Sequence, residues 1–240
     1  MATSDRTATK RVPMDSLRKT ALVAGVLYLI TFVSIPTLAL YAPVHDPNYI
    51  VGQGPDISVL FGGILELIVA FAGIGTAVAL YPVLKRQNQG VALGFVGARV
   101  VEAGTIIAGV VSLLVIVALR QTGAGAGALV IGQMLIALYD KTFLLGQSLL
   151  PVVNALLLGS LLYRSRLVPR FLPVLAFIGA PLLLAGDAAT LFGLIGRSSG
   201  LAALLTLPDA LWELLLGGWL VVKGFKPSPI TAGMAATSTR

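Results

Sequence analysis

The sequence contains no cysteine, a single histidine and few charged residues, which make up 11% of its 240 residues. Without cysteine, the chain forms no disulfide, holds no thiolate-bound metal and performs no thiol chemistry. The histidine, His45, lies in a loop between two apolar runs, so neither a metal site nor a serine–histidine pair is expected. A soluble domain carries about 25% charged residues, so this low charged fraction indicates a membrane protein.

Sequence motifs of nucleotide-binding proteins and of common hydrolases are also absent. There is no phosphate loop, no dinucleotide fingerprint, no His-Glu-x-x-His zinc helix and no Gly-x-Ser-x-Gly elbow. We therefore expect no cofactor and no bound metal. Enzyme activity stays open, and any catalysis would depend on carboxylates and one arginine.

Apolar runs dominate what the chain does contain: 57% of its residues are hydrophobic, and its mean hydropathy is +0.94. A helix needs about 20 residues to cross the ~30 Å hydrocarbon core of a membrane. The run at 129–139 has only 11 residues and predicts a helix that lies at the interface. The predicted fold is all-α, a bundle of six transmembrane helices with this short interfacial helix between spans three and four. The six spans are predicted at residues 20–41, 59–82, 91–119, 142–163, 171–195 and 201–222.

The loops between these runs predict the orientation of the chain. Thirteen lysine and arginine residues lie on the side of the two termini, and three lie on the other side. The positive-inside rule then places both termini in the cytoplasm. We expect a cytoplasmic polar tail at residues 1–19, a membrane domain at 20–222 and a second cytoplasmic tail at 223–240.

The formal net charge of +7 comes from basic residues in short loops. This distribution indicates topology signals and contacts with membrane lipids, and nucleic-acid binding is not expected. Arg164, Arg166 and Arg170 follow the fourth span and are candidates for binding anionic headgroups. Nothing in the sequence specifies an interface, so homo-oligomerisation stays open.

Five ionisable residues interrupt the predicted spans: Glu66, Arg99, Glu102, Asp187 and Glu213. A charge at the centre of a spanning helix costs about 2.5–3.5 kcal/mol even on insertion scales, so such residues usually mark a functional or paired polar site. This group contains four carboxylates and one guanidinium, so its negative charges outnumber its positive charge when all are ionised. A water-filled cavity, protonation of some carboxylates, or a bound cation would each resolve this imbalance.

Spacing along the helices predicts which of these side chains meet. Arg99 and Glu102 are three residues apart and share a helix face, so we expect them to pair. Gln147 and Asn154 share one face of span four with Pro151, which removes a backbone hydrogen bond within that span. The candidate polar binding site therefore comprises Glu66, Arg99, Glu102, Asp187, Glu213, Gln147 and Asn154.

Three functions fit this pattern. The favoured hypothesis is a small-solute or proton-linked carrier, or a binding protein, in which Glu66, Glu102 and Glu213 titrate and Arg99 is a counter-ion or an anion contact. An intramembrane enzyme that acts on a lipid-like substrate through paired carboxylates is the second. A structural or accessory membrane subunit, whose charges pair only with one another, is the third.

Several stretches carry a resemblance to a known family. Residues 18–225 resemble a bacterial family of multi-pass membrane proteins, the domain-of-unknown-function family 4386. The Tyr-Arg-Ser-Arg turn at residues 163–166 is the most specific element. The resemblance implies a multi-helical protein of the bacterial plasma membrane and implies no substrate. It is carried by residues 24–32, 65–67, 98–103, 161–170 and 211–214.

Overall fold

A computed structural model describes residues 15–52, 54–123 and 125–232, and this part of the chain contains helices and no strands. A 3₁₀ turn separates α1 from α2, and a π-helical turn, Leu144–Leu149, joins α5 to α6. The α-helices are α1 (Ser16–Ile30), α2 (Thr37–Leu40), α3 (Asp56–Leu84), α4 (Gln89–Gln121), α5 (Leu129–Phe143), α6 (Leu150–Ser165), α7 (Phe171–Leu191) and α8 (Gly200–Val222).

Six helical segments in the described residues are long and apolar enough to cross a membrane. Two of them are composite, since α1 with α2 forms Ser16–Leu40 and α5 with α6 forms Leu129–Ser165. The other four are α3, α4, α7 and α8. The predicted all-α fold with six spans is confirmed.

The separate interfacial helix between spans three and four is not confirmed. Residues 129–139 lie within α5, which continues into α6 as one segment of 37 residues, about 55 Å long. The pair Asp140–Lys141 does not end the helix, because neither residue breaks helical geometry. Asp140 instead contacts Arg197 and His45 from the side of the helix.

Two prolines account for the irregular turns within the spans. Pro36 immediately precedes α2, where the chain leaves the 3₁₀ turn Thr31–Ser34. Pro151 follows the π-helical turn, and its ring would clash with the carbonyl four residues earlier in a regular α-helix. The wider π turn removes that clash and changes the direction of the side chains that precede Pro151.

The six segments form a closed ring. Each segment packs most extensively against its neighbours in the chain, and α8 packs against α1 to close the ring. Gly25 permits this closure, because a Cβ atom on it would lie 2.8 Å from the carbonyl oxygen of Gly217. Small residues at such crossings let two membrane helices approach closely.

The outer surface of the ring is apolar, and its interior contains the polar groups. Large exposed side chains on the outside include Ile57, Phe71 and Leu204. Glu66, Arg99 and other polar residues are buried inside. This distribution is the one expected of a bundle surrounded by lipid.

The predicted tails lie mainly outside the described residues, which exclude 1–14 and 233–240. In the described part, α1 already begins at Ser16. Arg18 donates a hydrogen bond of 2.9 Å to the carbonyl oxygen of Leu220, and so covers the end of α8. Beyond α8, the backbone N–H of Lys226 donates to the carbonyl oxygen of Leu167 at 2.7 Å.

Candidate functional site

The largest group of buried charges surrounds Arg99. Its Nη1 donates to Glu102 Oε2 at 2.9 Å and to Oε1 at 3.2 Å. Its Nη2 donates to Glu213 Oε1 and to the Tyr28 hydroxyl, both at 3.0 Å. Asn154 completes the group by donating from Nδ2 to Glu102 Oε2 at 2.7 Å. We call these five residues the Arg99 cluster.

Four helices of the ring position this cluster. Arg99 and Glu102 lie one turn apart on α4, so their pairing follows from the local helix geometry. Tyr28, Asn154 and Glu213 come from α1, α6 and α8, and reach the arginine only because the ring closes. Four of the predicted site residues are therefore brought together: Arg99, Glu102, Asn154 and Glu213.

The cluster pairs one buried guanidinium with two carboxylates. Arg99 is 4% exposed and Glu102 is 7% exposed, so both charges are removed from bulk solvent. Buried charges are tolerated when they are paired and hydrogen-bonded, as both are here. Because two carboxylates already occupy both terminal nitrogens, the geometry favours the role of counter-ion over that of anion contact.

Glu66 lies in a second, separate polar group. It is fully buried, and its Oε1 accepts hydrogen bonds of 3.0 Å from the Tyr139 hydroxyl and from Gln147 Nε2. Among the described residues, Glu66 Oε2 and the Tyr41 hydroxyl are buried without a hydrogen-bond partner. Tyr41 and Tyr139 were not predicted as site residues. In the sequence, a tyrosine that binds a polar group cannot be distinguished from one that only packs in the core.

Gln147 connects the two groups. Its amide donates to Glu66, and its side chain also lines a cavity beside Arg99 and Glu102. Gln147 and Asn154 share a face in a regular helix, yet they bind different carboxylates here. Seven residues separate them by about 10 Å along the helix axis. The π-helical turn, which contains Gln147, also changes the rotation of the helix by about one residue before Asn154.

Three adjoining cavities lead from the Arg99 cluster to the side of the ring opposite the termini, and we call them together the vestibule. The central cavity, about 170 Å³, is lined by Arg99, Glu102 and Glu213. The main cavity, about 540 Å³, shares Glu213 and Gln147 with it. The outer cavity, about 470 Å³, shares Arg197 with the main one.

Two aspartates line the main cavity away from the Arg99 cluster. Asp187 was predicted as a site residue, and the structure places it on this wall rather than beside Arg99. Asp209 was missed, although it is 5% exposed and lines the same cavity. Its signal was present in the sequence, since it lies within the sixth span, four residues before Glu213 and therefore on the same helix face.

Charged residues also meet at the mouth of the vestibule. Asp140 Oδ1 accepts a hydrogen bond of 2.9 Å from Arg197 Nη1 and lies 3.2 Å from His45 Nε2. The hydrogen bond to Asp140 raises the pKa of His45 above its ordinary value, with smaller opposing effects from partial burial and from Arg197. This contact joins the loop after α2, helix α5 and the loop before α8.

These features define an integral membrane protein of six spans with a buried charge cluster at the end of an internal vestibule. Residues 23–224 match the family described as domain of unknown function (DUF4386). The chain belongs to this family, so the resemblance seen in the sequence is confirmed. Comparison with curated proteins and with solved structures gives no match.

Proposed function

We propose that the protein is a small-solute or proton-linked carrier, or a solute-binding protein, of the membrane. The observation that carries this proposal is the vestibule, which ends inside the ring at the Arg99 cluster. A structural bundle gains nothing from a polar cavity of this size at membrane depth, since each polar group there has a cost. Ligand sites between the helices of a bundle are, in contrast, concave and contain a few polar groups on apolar walls.

Glu213 is the carboxylate we assign to the solute or proton. Its side chain is 20% exposed, against 9% for Glu102, and it lines both the central and the main cavity. A ligand or proton that reaches Glu213 competes with Arg99 for its carboxylate. A ligand or proton bound at Glu213 would therefore weaken the Arg99–Glu213 ion pair between α4 and α8. Binding at the site would in this way change the packing of the ring.

Glu66 is the second titrating group in this proposal. It has no cation within 4 Å among the described residues, so protonation is the simplest way to hold it in an apolar setting. Gln147 separates Glu66 from the central cavity. Rotation of this one amide side chain would connect Glu66 with water in the vestibule.

The membrane and the orientation belong to the same proposal. The family resemblance favours the plasma membrane of a bacterial cell, and the loop charges favour both termini in the cytoplasm. The vestibule would then open to the outside. Arg164, Arg166 and Arg170 are exposed at the terminal side, where they would contact anionic headgroups. No nucleic-acid partner is proposed, and a homo-oligomer stays open.

Native mass spectrometry of protein released from lipid nanodiscs tests the proposal. We expect a bound small molecule on the wild-type protein and on Asp46→Asn, a charge-matched control in an exposed loop. Glu213→Gln should lose that mass while its helix content, measured by circular dichroism, is unchanged. No bound mass on the wild-type protein, or equal occupancy in Glu213→Gln, would contradict a ligand site at the Arg99 cluster.

A further inference from the structure

We propose that the main cavity binds an amphiphilic organic cation, with an apolar body and an amine or ammonium group held by Asp209 and Asp187. This inference rests on the proposed function, because it names the class of ligand for the vestibule described above. It depends on four observations. Asp187 and Asp209 lack a charged partner among the described residues, and the crossing of α7 and α8 holds the backbone of Asp209 in place. Part of the wall of the main cavity is apolar, and the two arginines that line the central and main cavities are already paired.

The first observation is that both aspartates lack a charged partner. In the described residues, neither Asp187 nor Asp209 forms an ion pair, unlike Glu102 and Glu213. Asp209 is buried, and its Oδ1 has no hydrogen-bond partner there; the same holds for Asp187 Oδ2. A buried carboxylate oxygen without a partner is costly, and a cation in the cavity would relieve that cost.

The second observation is that the fold holds Asp209 firmly at the cavity. Helices α7 and α8 cross at Gly179, where an added Cβ atom would lie 2.8 Å from the backbone nitrogen of Asp209. This close approach fixes the backbone of Asp209 beside α7. The crossing of α7 and α8 therefore sets where the side chain of Asp209 begins, and Asp209 lines the main cavity from that position.

The third observation is the composition of the wall. Part of the wall of the main cavity is apolar and includes Phe32, Leu183 and Leu207. The remainder carries hydroxyl and amide side chains and the charged groups. Its volume of about 540 Å³ lies within the range of about 300–1,000 Å³ that is typical of small-molecule sites. An apolar body fits the apolar part of this wall.

The fourth observation concerns the two arginines that line the central and main cavities. Arg197 is paired with Asp140 and lies over the ring of Phe143, at 3.5 Å from the ring centroid. Arg99 is paired with two glutamates. In the main cavity, an anionic ligand would therefore have to displace an existing carboxylate, whereas a cation meets two carboxylates that have no charged partner in the described part of the chain.

An inorganic cation fits this cavity less well. Dehydrated metal ions bind in compact shells of several oxygen ligands, as in sites with 6–8 oxygens for calcium. The described residues contain no group of three or more histidine, aspartate or glutamate side chains that could hold a metal ion.

Three matched probes test the proposal: 4-phenylbutylamine, 4-phenylbutanol and 4-phenylbutyrate, which are cationic, neutral and anionic at pH 7. Binding to protein in nanodiscs would be measured by isothermal titration calorimetry. We expect the amine to bind at least about tenfold more tightly than the other two probes, a difference of about 1.4 kcal/mol. Asp209→Asn and Asp187→Asn should each weaken amine binding about tenfold or more, and Asp46→Asn should not.

The outcomes separate this proposal from the one on which it rests. Equal binding of all three probes, no amine binding, or wild-type amine affinity in Asp209→Asn would each overturn the organic-cation assignment. If the wild-type protein still carries a bound mass that Glu213→Gln loses, the vestibule remains a ligand site for another class of solute. If neither experiment detects a ligand, both proposals fail. Circular dichroism of Asp209→Asn excludes loss of the fold as the cause of lost binding.

Discussion

Arg99 on α4 and Glu213 on α8 form an ion pair of 3.0 Å, although 114 residues separate them in the chain. These two helices lie opposite each other in the ring, so the pair crosses its interior. Arg99 also pairs with Glu102, so one guanidinium connects two carboxylates. The ionic contact between the two sides of the bundle therefore depends on the side chain of Arg99.

Removal of Arg99 should therefore destabilise the protein strongly. Arg99→Ala leaves Glu102 and Glu213 buried without their cation, and breaking a buried pair in this way typically costs about 3–5 kcal/mol. Adding Glu102→Gln, and then Glu213→Gln, should restore part of the lost stability at each step because each neutralises one of the unpaired carboxylates. The measurement is the free energy of unfolding in detergent, followed by circular dichroism.

A control for this series is Arg86→Ala, which removes a basic residue from the exposed loop between α3 and α4. It should leave the free energy of unfolding nearly unchanged. If the neutralising substitutions restore no stability to Arg99→Ala, the three charges do not act as one unit.

Glu66 and Gln147 should be coupled energetically, since Gln147 Nε2 donates directly to Glu66 Oε1. We expect a double-mutant cycle of Glu66→Ala and Gln147→Ala to give a coupling energy of about 0.5–3 kcal/mol, the range found for residues in contact. A cycle of Glu66→Ala with Asn154→Ala supplies the comparison, because Asn154 binds Glu102 instead. A larger coupling in the comparison cycle would contradict the separation of the two polar groups.

Closure of the ring should depend on Gly25. A methyl group there would overlap the backbone of Gly217 and Val221, so Gly25→Ala should cost about 1–3 kcal/mol of stability, as overpacking usually does. Gly104 is the matched control, because a Cβ atom on it would meet no atom within 4 Å. Thermal unfolding of the two variants in nanodiscs measures the difference. Equal melting temperatures would argue against a tight α1–α8 crossing.

The contact at the mouth of the vestibule predicts a dependence of stability on pH. Because Asp140 raises the pKa of His45, the folded state binds the proton more tightly than the unfolded state. The resulting stabilisation is complete below the ordinary histidine pKa of 6.5 and is lost as the pH rises through the higher folded value. Arg197 opposes the effect and reduces its size.

The melting temperature of the wild-type protein should thus fall, relative to that of His45→Gln, as the pH rises above about 6.5. Asp140→Asn should remove most of this difference, because it removes the main cause of the raised pKa. Parallel curves for wild-type protein and His45→Gln would show that His45 is not coupled to folding.

Features set by local geometry or by composition could be predicted from the sequence. The six spans follow from apolar runs of sufficient length, and the Arg99–Glu102 pair follows from a spacing of three residues in one helix. The separate interfacial helix was predicted from the length of the apolar run at 129–139. That criterion ends the run at the charged residues Asp140 and Lys141. The helix instead continues past them as one segment of 37 residues.

Contacts that depend on closure of the ring could not be predicted. Tyr28 and Glu213 reach Arg99 only because α1 and α8 complete a circle, and no spacing in the sequence encodes that meeting. The π-helical turn that contains Gln147 is not represented by a regular helical period, and the partners of Gln147 and Asn154 come from two other helices. Asp209 differs from these, because a complete count of charges in the sixth span would have included it.

The central claim is that water reaches the interior of the ring through the vestibule, and the chain suits a direct test because it contains no cysteine. Ala210→Cys would introduce a thiol on the wall of the main cavity, and Leu211→Cys would place one on the adjacent, exposed apolar face. Both would be treated with a membrane-impermeant methanethiosulfonate, in intact cells and in inside-out vesicles. Leu194→Cys, in the exposed loop before α8, reports the side from which the reagent arrives.

We predict that Ala210→Cys reacts from the same side as Leu194→Cys and from that side only, while Leu211→Cys reacts from neither. Asp209 and Asp187 should also make Ala210→Cys react faster with a cationic methanethiosulfonate than with an anionic one. If Ala210→Cys reacts no faster than Leu211→Cys, the vestibule is closed to water and the proposed ligand site is contradicted.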